Sequence, residues 1–349
     1  MTSIDPHTKT AFATMDWEQY HQSRPPYPPS LTSLIYTYRR LHPHTRWERL
    51  VDIGAGSGIA TTNFMADFQV IHVSDPSPAN ESQARTFLPK WAAQHGLHPT
   101  FEYAQTVGEE AYRHTGESQV DMVICATAAH FMDPDGLVTS IGKMLRPGGT
   151  MAIFSYWLPT FPKQSKRFQD AFASIFEKVF MQQLLRDGPQ SNQAALMHSL
   201  AKRQGAGEGL LDSLPLPEEL FEDPVRVYIN PSKDGRVPYH DQFVKYYPAD
   251  FRPEDYSRVG SRDKIVRYNT GVDDEAEGWE FNADKQWLIE YLNSVLPPQN
   301  KIVPETAHVL LADWDQVFAE ECPSGQVRVQ WTANLVMATR KGEDTLAEQ

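Results

Sequence analysis

The stretch Val51-Asp-Ile-Gly54-Ala-Gly56-Ser-Gly58 constrains this chain more than any other. Three glycines alternate directly after a short β-rich run, Arg49 to Ile53, and before a segment with helical spacing, Ile59 to Phe68. Glycine there lets the backbone take positive φ and lets a ligand reach main-chain atoms without meeting a Cβ. A dinucleotide fingerprint needs G-x-G-x-x-G, and the position for the third glycine is Ile59. The pattern here is G-x-G-x-G with an acidic residue, Asp52, ahead of it.

Beyond the turn, strand and helix alternate. Gln69 to Ser74 is a second β-branched run, Ser82 to His95 a helix, Thr100 to Ala104 a third strand and Gln119 to Ala126 a fourth. Gly136 to Leu145 is a helix and Thr150 to Tyr156 a fifth strand. Such alternation predicts a parallel, doubly wound α/β sheet. Val327 to Ala338 alternates as a terminal strand, preceded by a helix from Asp284 to Leu296. Asp75, at the end of the second strand, has two readings. It suits acceptance of hydrogen bonds from both ribose hydroxyls of a nucleoside, and Asp75-Pro76 also suits a helix N-cap.

Composition narrows the partners. Lys and Arg total 32 against 45 Asp and Glu, a formal charge of −13, which argues against nucleic acid and anionic membranes. The two cysteines, Cys125 and Cys322, lack the spacing of a thiolate metal site or disulfide framework, so reduced thiols are expected. Met1 to Lys9 is polar, without the pattern of a signal peptide, and no apolar stretch approaches the ~18 residues of a membrane span. A cytoplasmic protein is the expectation.

After the fourth strand come Thr127-Ala-Ala-His130-Phe-Met-Asp133 and then Leu145-Arg-Pro-Gly148-Gly149 feeding the fifth strand. With the glycine turn and Asp75, these features in register resemble the class I S-adenosylmethionine-dependent methyltransferases over about Arg49 to Tyr156 plus the last strand. Phe12, Tyr20-His-Gln-Ser-Arg24-Pro-Pro-Tyr27-Pro28, Ala129 to Asp133 and Ala152 to Tyr156 are similar to the trans-aconitate methyltransferase branch. The resemblance implies a Rossmann-like, seven-stranded doubly wound sheet with the seventh strand antiparallel and a helical lid insertion, and S-adenosyl-L-methionine as cofactor. It also implies that Asp52, Gly54, Ala55 and Gly56 form the loop at the methionine and ribose, and that Asp75 holds the ribose. Pro76, Ser77, Gly108 and Glu109 would meet the adenine, and Ala126 or Thr127 would stand beside the reactive methyl. Tyr20 lies in the segment folding over the cofactor, and Arg24 is either the partner of the cofactor's α-carboxylate or a surface arginine before a proline turn.

The expected organisation is therefore a cofactor-covering segment (1–48), a cofactor-binding core (49–157), a substrate lid (158–278) and a C-terminal helix with closing strands (279–341). His130 is the catalytic candidate because it alone near the transfer point titrates near neutrality; a base role competes with substrate positioning. His198 and His240 are weaker lid candidates. Asp121 and Asp133 flank the fourth strand with no third ligand at a telling spacing, so no metal is expected. The lid carries Tyr228, Tyr239, Phe243, Tyr246, Tyr247, Phe251 and Tyr256, and Arg226, Arg252, Arg258, Arg262 and Arg267 are candidate clamps for an anionic substrate. The expected acceptor is a small molecule, favoured as a carboxylate; the alternatives are a hydroxyl or carbon of a secondary metabolite, or a cofactor-binding cyclase or pericyclase that transfers no methyl.

Overall fold

The computed structural model describes residues 17–42, 45–178, 207–247, 249–252, 255–295 and 301–342. Phe12 and His198 lie outside them. The strands are β1 (Arg49–Ile53), β2 (Val70–Ser74), β3 (Thr100–Ala104), β4 (Val120–Ala126), β5 (Leu145–Thr160), β6 (Phe221–Ile229), β7 (Lys264–Tyr268), β8 (Glu280–Asp284) and β9 (Gln326–Arg340). Their helices are α1 (Trp17–Ser23), α2 (Pro29–Arg40), α3 (Pro78–Gln94), α4 (Pro134–Met144), α5 (Lys166–Phe176), α6 (Lys285–Val295), α7 (Pro304–Leu310) and α8 (Ala312–Glu321).

The sheet runs β3-β2-β1-β4-β5-β9-β6-β7, with β8 on the first half of β9. The first five strands are parallel, and β9 lies antiparallel between β5 and β6. Parallel strands need cover on both faces, and the residues of β1 and β4 alternate accordingly. Leu50, Met122 and Ile124 enter one core with Ile71 and Phe154, whereas Val51, Ile53, Val123 and Cys125 enter the other with Leu137 and Ile141 of α4. Because β2 and β4 flank β1 on opposite sides, strand order reverses at β1. The crevice beyond the carboxyl ends of β1 and β4 is where such sheets bind ligands.

Three expectations are corrected. Among the described residues the sheet has nine strands, not seven, and β6 and β7 arise from the stretch read as a helical lid. Pro224, which reads as a breaker, falls at a bulge: Asp223 has φ 48° and the pairing with β9 shifts register between Glu222 and Val225, so the missing N–H costs the ladder nothing. The segment from Ile59 to Phe68 forms two 3₁₀ turns, Ala60–Asn63 and Met65–Asp67, instead of an α-helix. Its threonine hydroxyls are committed locally, Thr61 Oγ1 to Asp52 Oδ2 at 2.6 Å and Thr62 Oγ1 to the Ile59 carbonyl at 2.7 Å, which competes with helical bonding.

Arg226 of β6 is not a substrate clamp. It is buried, its Nε 2.5 Å from Asp263 Oδ2, and its terminal nitrogens donate to the Leu211 and Leu214 carbonyls at 3.0 and 2.8 Å. Removing one partner strands the other charge in the core. Arg226→Leu is therefore expected to cost about 3–5 kcal/mol in denaturant unfolding. A loss under ~1 kcal/mol, the range of an exposed pair, would show that Asp263 is hydrated rather than buried.

Candidate functional site

The glycine turn is laced to the end of β2. Gly54 and Ala55 donate their N–H groups to the Ser74 carbonyl at 2.8 and 3.1 Å, and Gly56 N–H donates to Asp75 Oδ2 at 2.9 Å. Gly54 (φ 66°) and Gly56 (φ 58°) are left-handed. A Cβ at Gly54 would stand 2.7 Å from Ala128 Cβ, and one at Gly56 2.9 Å from Trp17 Cη2. Only glycine satisfies both the dihedral and the space.

Beyond the turn lies a cleft whose wall gathers Tyr20, Gly54, Ala55, Gly56, Asp75, Pro76, Ser77, Gly108, Glu109, Ala126 and Thr127. Trp17, Asn80, Val107, Ala128, Phe131 and Met132 complete it, residues that sequence reasoning did not assign to the cofactor. Asn80 had a legible signal, one turn into a helix whose capping residue follows Asp75; Phe131 and Met132 fall within the Ala129 to Asp133 run that carries the resemblance, but neither bears a polar group that marks a contact.

Asp75 is 7% exposed, and Ser77 N–H and Asn80 Nδ2 donate to its Oδ1 at 2.9 and 3.1 Å. With Gly56 on Oδ2, three of roughly four lone-pair positions are used, leaving one acceptor site. Burial raises the Asp75 carboxyl even against these donors. The capping role falls instead to Ser77, whose hydroxyl accepts from Asn80 N–H at 3.4 Å. Two more acceptors stand unpartnered in buried positions of the wall, Glu109 Oε2 and Asn80 Oδ1.

Asp52 and Arg24 lie outside the wall. Asp52 is fully buried beneath the turn; burial pushes its carboxyl up to about 7, opposed by the Thr61 hydrogen bond and reinforced by Asp75. Arg24 sits 4.6 Å from the Tyr20 ring and 5.6 Å from the Tyr291 ring, donating to the Ser294 carbonyl at 2.9 Å and to the Tyr156 hydroxyl at 3.4 Å. Its Nε is buried without a partner, and no described carboxylate pairs with it. The segment carrying Tyr20 and Arg24 is pinned by His21 Nε2 to Ser57 Oγ at 2.7 Å and by Trp287 Nε1 donating to the Gln22 carbonyl at 2.9 Å.

His130 follows β4 on a 3₁₀ turn and lines a second cleft with Leu210, Leu211, Leu214, Tyr256 and Arg258. Met132 belongs to both clefts. The other expected clamps bind the protein itself: Arg258 pairs with Asp135 at 3.3 Å, Arg267 with Glu208 at 2.5 Å, Arg262 donates to the Phe221 carbonyl and Arg252 to that of Phe251. Tyr228, Tyr239, Phe243 and Phe251 are core. His240 packs beside Tyr247, and burial lowers its imidazole. Asp121 accepts the Glu48 and Arg49 N–H groups, and Asp133 caps α4. Among the described residues no three His, Cys, Asp or Glu side chains could share a metal, and no helix is long and apolar enough to cross a membrane.

The raised Asp52 carboxyl carries a signed prediction. Its folded value lies above the unfolded one, so the folded state holds the proton more tightly, and this site's contribution to stability is lost as pH rises from about 4 to about 7. Asp52→Asn is expected to gain stability on the wild type across that window. Parallel pH dependences of the two unfolding midpoints would place Asp52 in contact with water.

Residues 51–153 match the family described as a methyltransferase domain. The chain is similar to the methyltransferase gedG of Aspergillus terreus, at 27% identity over 332 residues covering 93% of this chain and 91% of that protein. It is also similar to the methyltransferase tpcM of Aspergillus fumigatus, at 25% identity over 333 residues with 93% and 91% covered. Among solved structures, a protein assigned as a type II methyltransferase from Anaeromyxobacter dehalogenans shares the fold with a TM-score of 0.50 and 17% identity, over 90% of this chain and 97% of that one. A glycine turn laced to an acidic strand end at the switch point of a parallel sheet, with a methyltransferase domain match across it and curated methyltransferases along nearly the whole chain, places the protein among the class I S-adenosylmethionine-dependent methyltransferases.

Proposed function

We propose that the first cleft holds S-adenosyl-L-methionine and that the enzyme methylates a carboxylate of a small-molecule acceptor, as the resemblance to the trans-aconitate branch suggests. The residues present fit the cofactor. Asp75 keeps one acceptor position for a ribose hydroxyl, and the Glu109 Oε2 and Asn80 Oδ1 acceptors suit the base's amino group or the second hydroxyl. Gly54, Ala55 and Gly56 admit the methionine portion, Pro76 and Ser77 flank the base with Gly108, and Tyr20 closes over the tail, with Arg24 behind the Tyr20 ring as the positive charge for the α-carboxylate. Asp52 acts from below, through Thr61 and the turn. When bound, the cofactor supplies an electrophilic methyl; the protein aligns donor and acceptor and excludes water.

The observation that carries the carboxylate reading is the chemistry of the wall beside Ala126 and Thr127. There the wall presents the Thr127 hydroxyl, bonded at 3.0 Å to the Tyr27 hydroxyl outside the wall, and burial raises Tyr27 well above the usual phenol range, so both stay protonated. Neither removes a proton at neutral pH. An acceptor already ionised needs none removed. A second reading keeps His130 as general base toward a hydroxyl or carbon of a secondary metabolite, favoured by the Met132 wall that its cleft shares with the first.

Two measurements test this. Transfer from methyl-labelled cofactor to trans-aconitate is expected to give alkali-labile product, and its rate to stay flat from about pH 6 to 9, because a carboxylate is ionised throughout. A rate rising tenfold per pH unit and levelling, with the limb abolished and turnover cut ~100-fold by His130→Ala, would select the base-assisted reading. Asp75→Ala is expected to weaken S-adenosylhomocysteine in calorimetric titration by roughly 10- to 100-fold, one charged hydrogen bond. A lower unfolding midpoint with affinity kept would confine Asp75 to shaping the turn.

A further inference from the structure

Tyr27 and Thr127, one hundred residues apart, meet hydroxyl to hydroxyl at 3.0 Å. Thr127 is the residue at which β4 turns, and its φ is 51°, a left-handed conformation that a β-branched side chain adopts only when its surroundings enforce it. Two constraints enforce it here. Thr127 N–H donates to the Phe154 carbonyl of β5 at 2.8 Å, and the Tyr27 hydroxyl fixes the side chain from the other direction.

Tyr27 is itself delivered by a stiff segment. Pro25, Pro26, Pro28 and Pro29 surround it, each with φ locked by its ring. Its ring stands edge-on to Phe154 at 5.2 Å, and its carbonyl accepts from Asn63 Nδ2 at 3.3 Å. The same stretch of chain continues back to Tyr20 and Trp17 in the cleft wall.

We infer that Tyr27 is a positioning residue for methyl transfer: it holds Thr127 in its strained conformation and so sets the cleft wall against which the reactive methyl lies. This rests on the placement of Ala126 and Thr127 beside that methyl, not on the acceptor being a carboxylate. In the transfer the carbon–sulfur bond breaks, sulfur keeps its electron pair as a thioether, and the methyl carbon bonds to an acceptor lone pair. Neither Tyr27 nor Thr127 gains or loses a proton. Their contribution is alignment, and an in-line displacement is sensitive to ~1 Å.

Tyr27→Phe keeps the ring packing and removes the hydroxyl. Calorimetry with S-adenosylmethionine is expected to show unchanged affinity, while the resonance of the bound ¹³C-labelled S-methyl group moves by more than its linewidth. With trans-aconitate as acceptor, or a simple phenol if trans-aconitate is inert, kcat is expected to fall ~10- to 100-fold with KM held. Thr127→Ser, which keeps the hydroxyl, should lose less kcat than Tyr27→Phe, and Tyr27→Phe with Thr127→Val should be no slower than the slower single variant. An unmoved methyl resonance in Tyr27→Phe overturns the proposal, as do additive losses or a fall in unfolding midpoint alone. The resonance needs no acceptor, so inertness of trans-aconitate with a shifted resonance counts against the carboxylate reading only. Should Thr127→Val not fold, the Tyr27→Phe resonance and Thr127→Ser decide.

Discussion

The exit of β1 from the sheet is the constraint on which the rest depends. β1 ends at Ile53 between its parallel partners β2 and β4, and the backbone N–H groups that follow it must find acceptors where the chain turns. They find them one strand over, on the Ser74 carbonyl and the Asp75 carboxylate. That capture fixes the turn in left-handed conformations and keeps side chains out of the crevice above it. Asp75 then faces the crevice with acceptor capacity to spare, because a carboxylate offers more lone pairs than the turn consumes.

The distribution of buried charge follows from the same geometry. Asp52 points beneath the turn into a region without a cation, and its carboxyl is pushed up to about 7. Arg24 lies among tyrosine rings with a backbone carbonyl and a phenol as its hydrogen-bond partners. A buried guanidinium without a carboxylate is costly in an empty site and favourable in one that receives an anion. The segment that carries it is joined to the turn through His21 and Ser57 and to α6 through the Gln22 carbonyl and Trp287.

Much of this was legible in the residues, and the failures have local causes. The five parallel strands and α3, α4 and α6 follow the change of hydrophobic period from 2 to 3.6. The turn after β1 did not become an α-helix because its threonines bond to Asp52 and to the preceding carbonyl, a preference that period alone does not carry. β6 was hidden by Pro224, which reads as a stop in a linear sequence and as a bulge once β9 lies beside it. The arginines of that region read as substrate clamps because charge is visible in a sequence and its partner is not. Arg226 and Asp263 meet only when β6 joins the sheet.

The sequence by itself determined the parallel sheet, the glycine turn at its switch point and the acidic residue at the end of β2, because each rests on contacts among near neighbours or on a period of two. Tertiary structure alone decided which side chains face the cleft. It sent Asp52 below the turn, turned His130 toward a second cleft, left Arg24 without a carboxylate and set Tyr27 on Thr127. Those outcomes depend on which distant segment packs against each strand end, and a chain carries no local signal for a partner one hundred residues away.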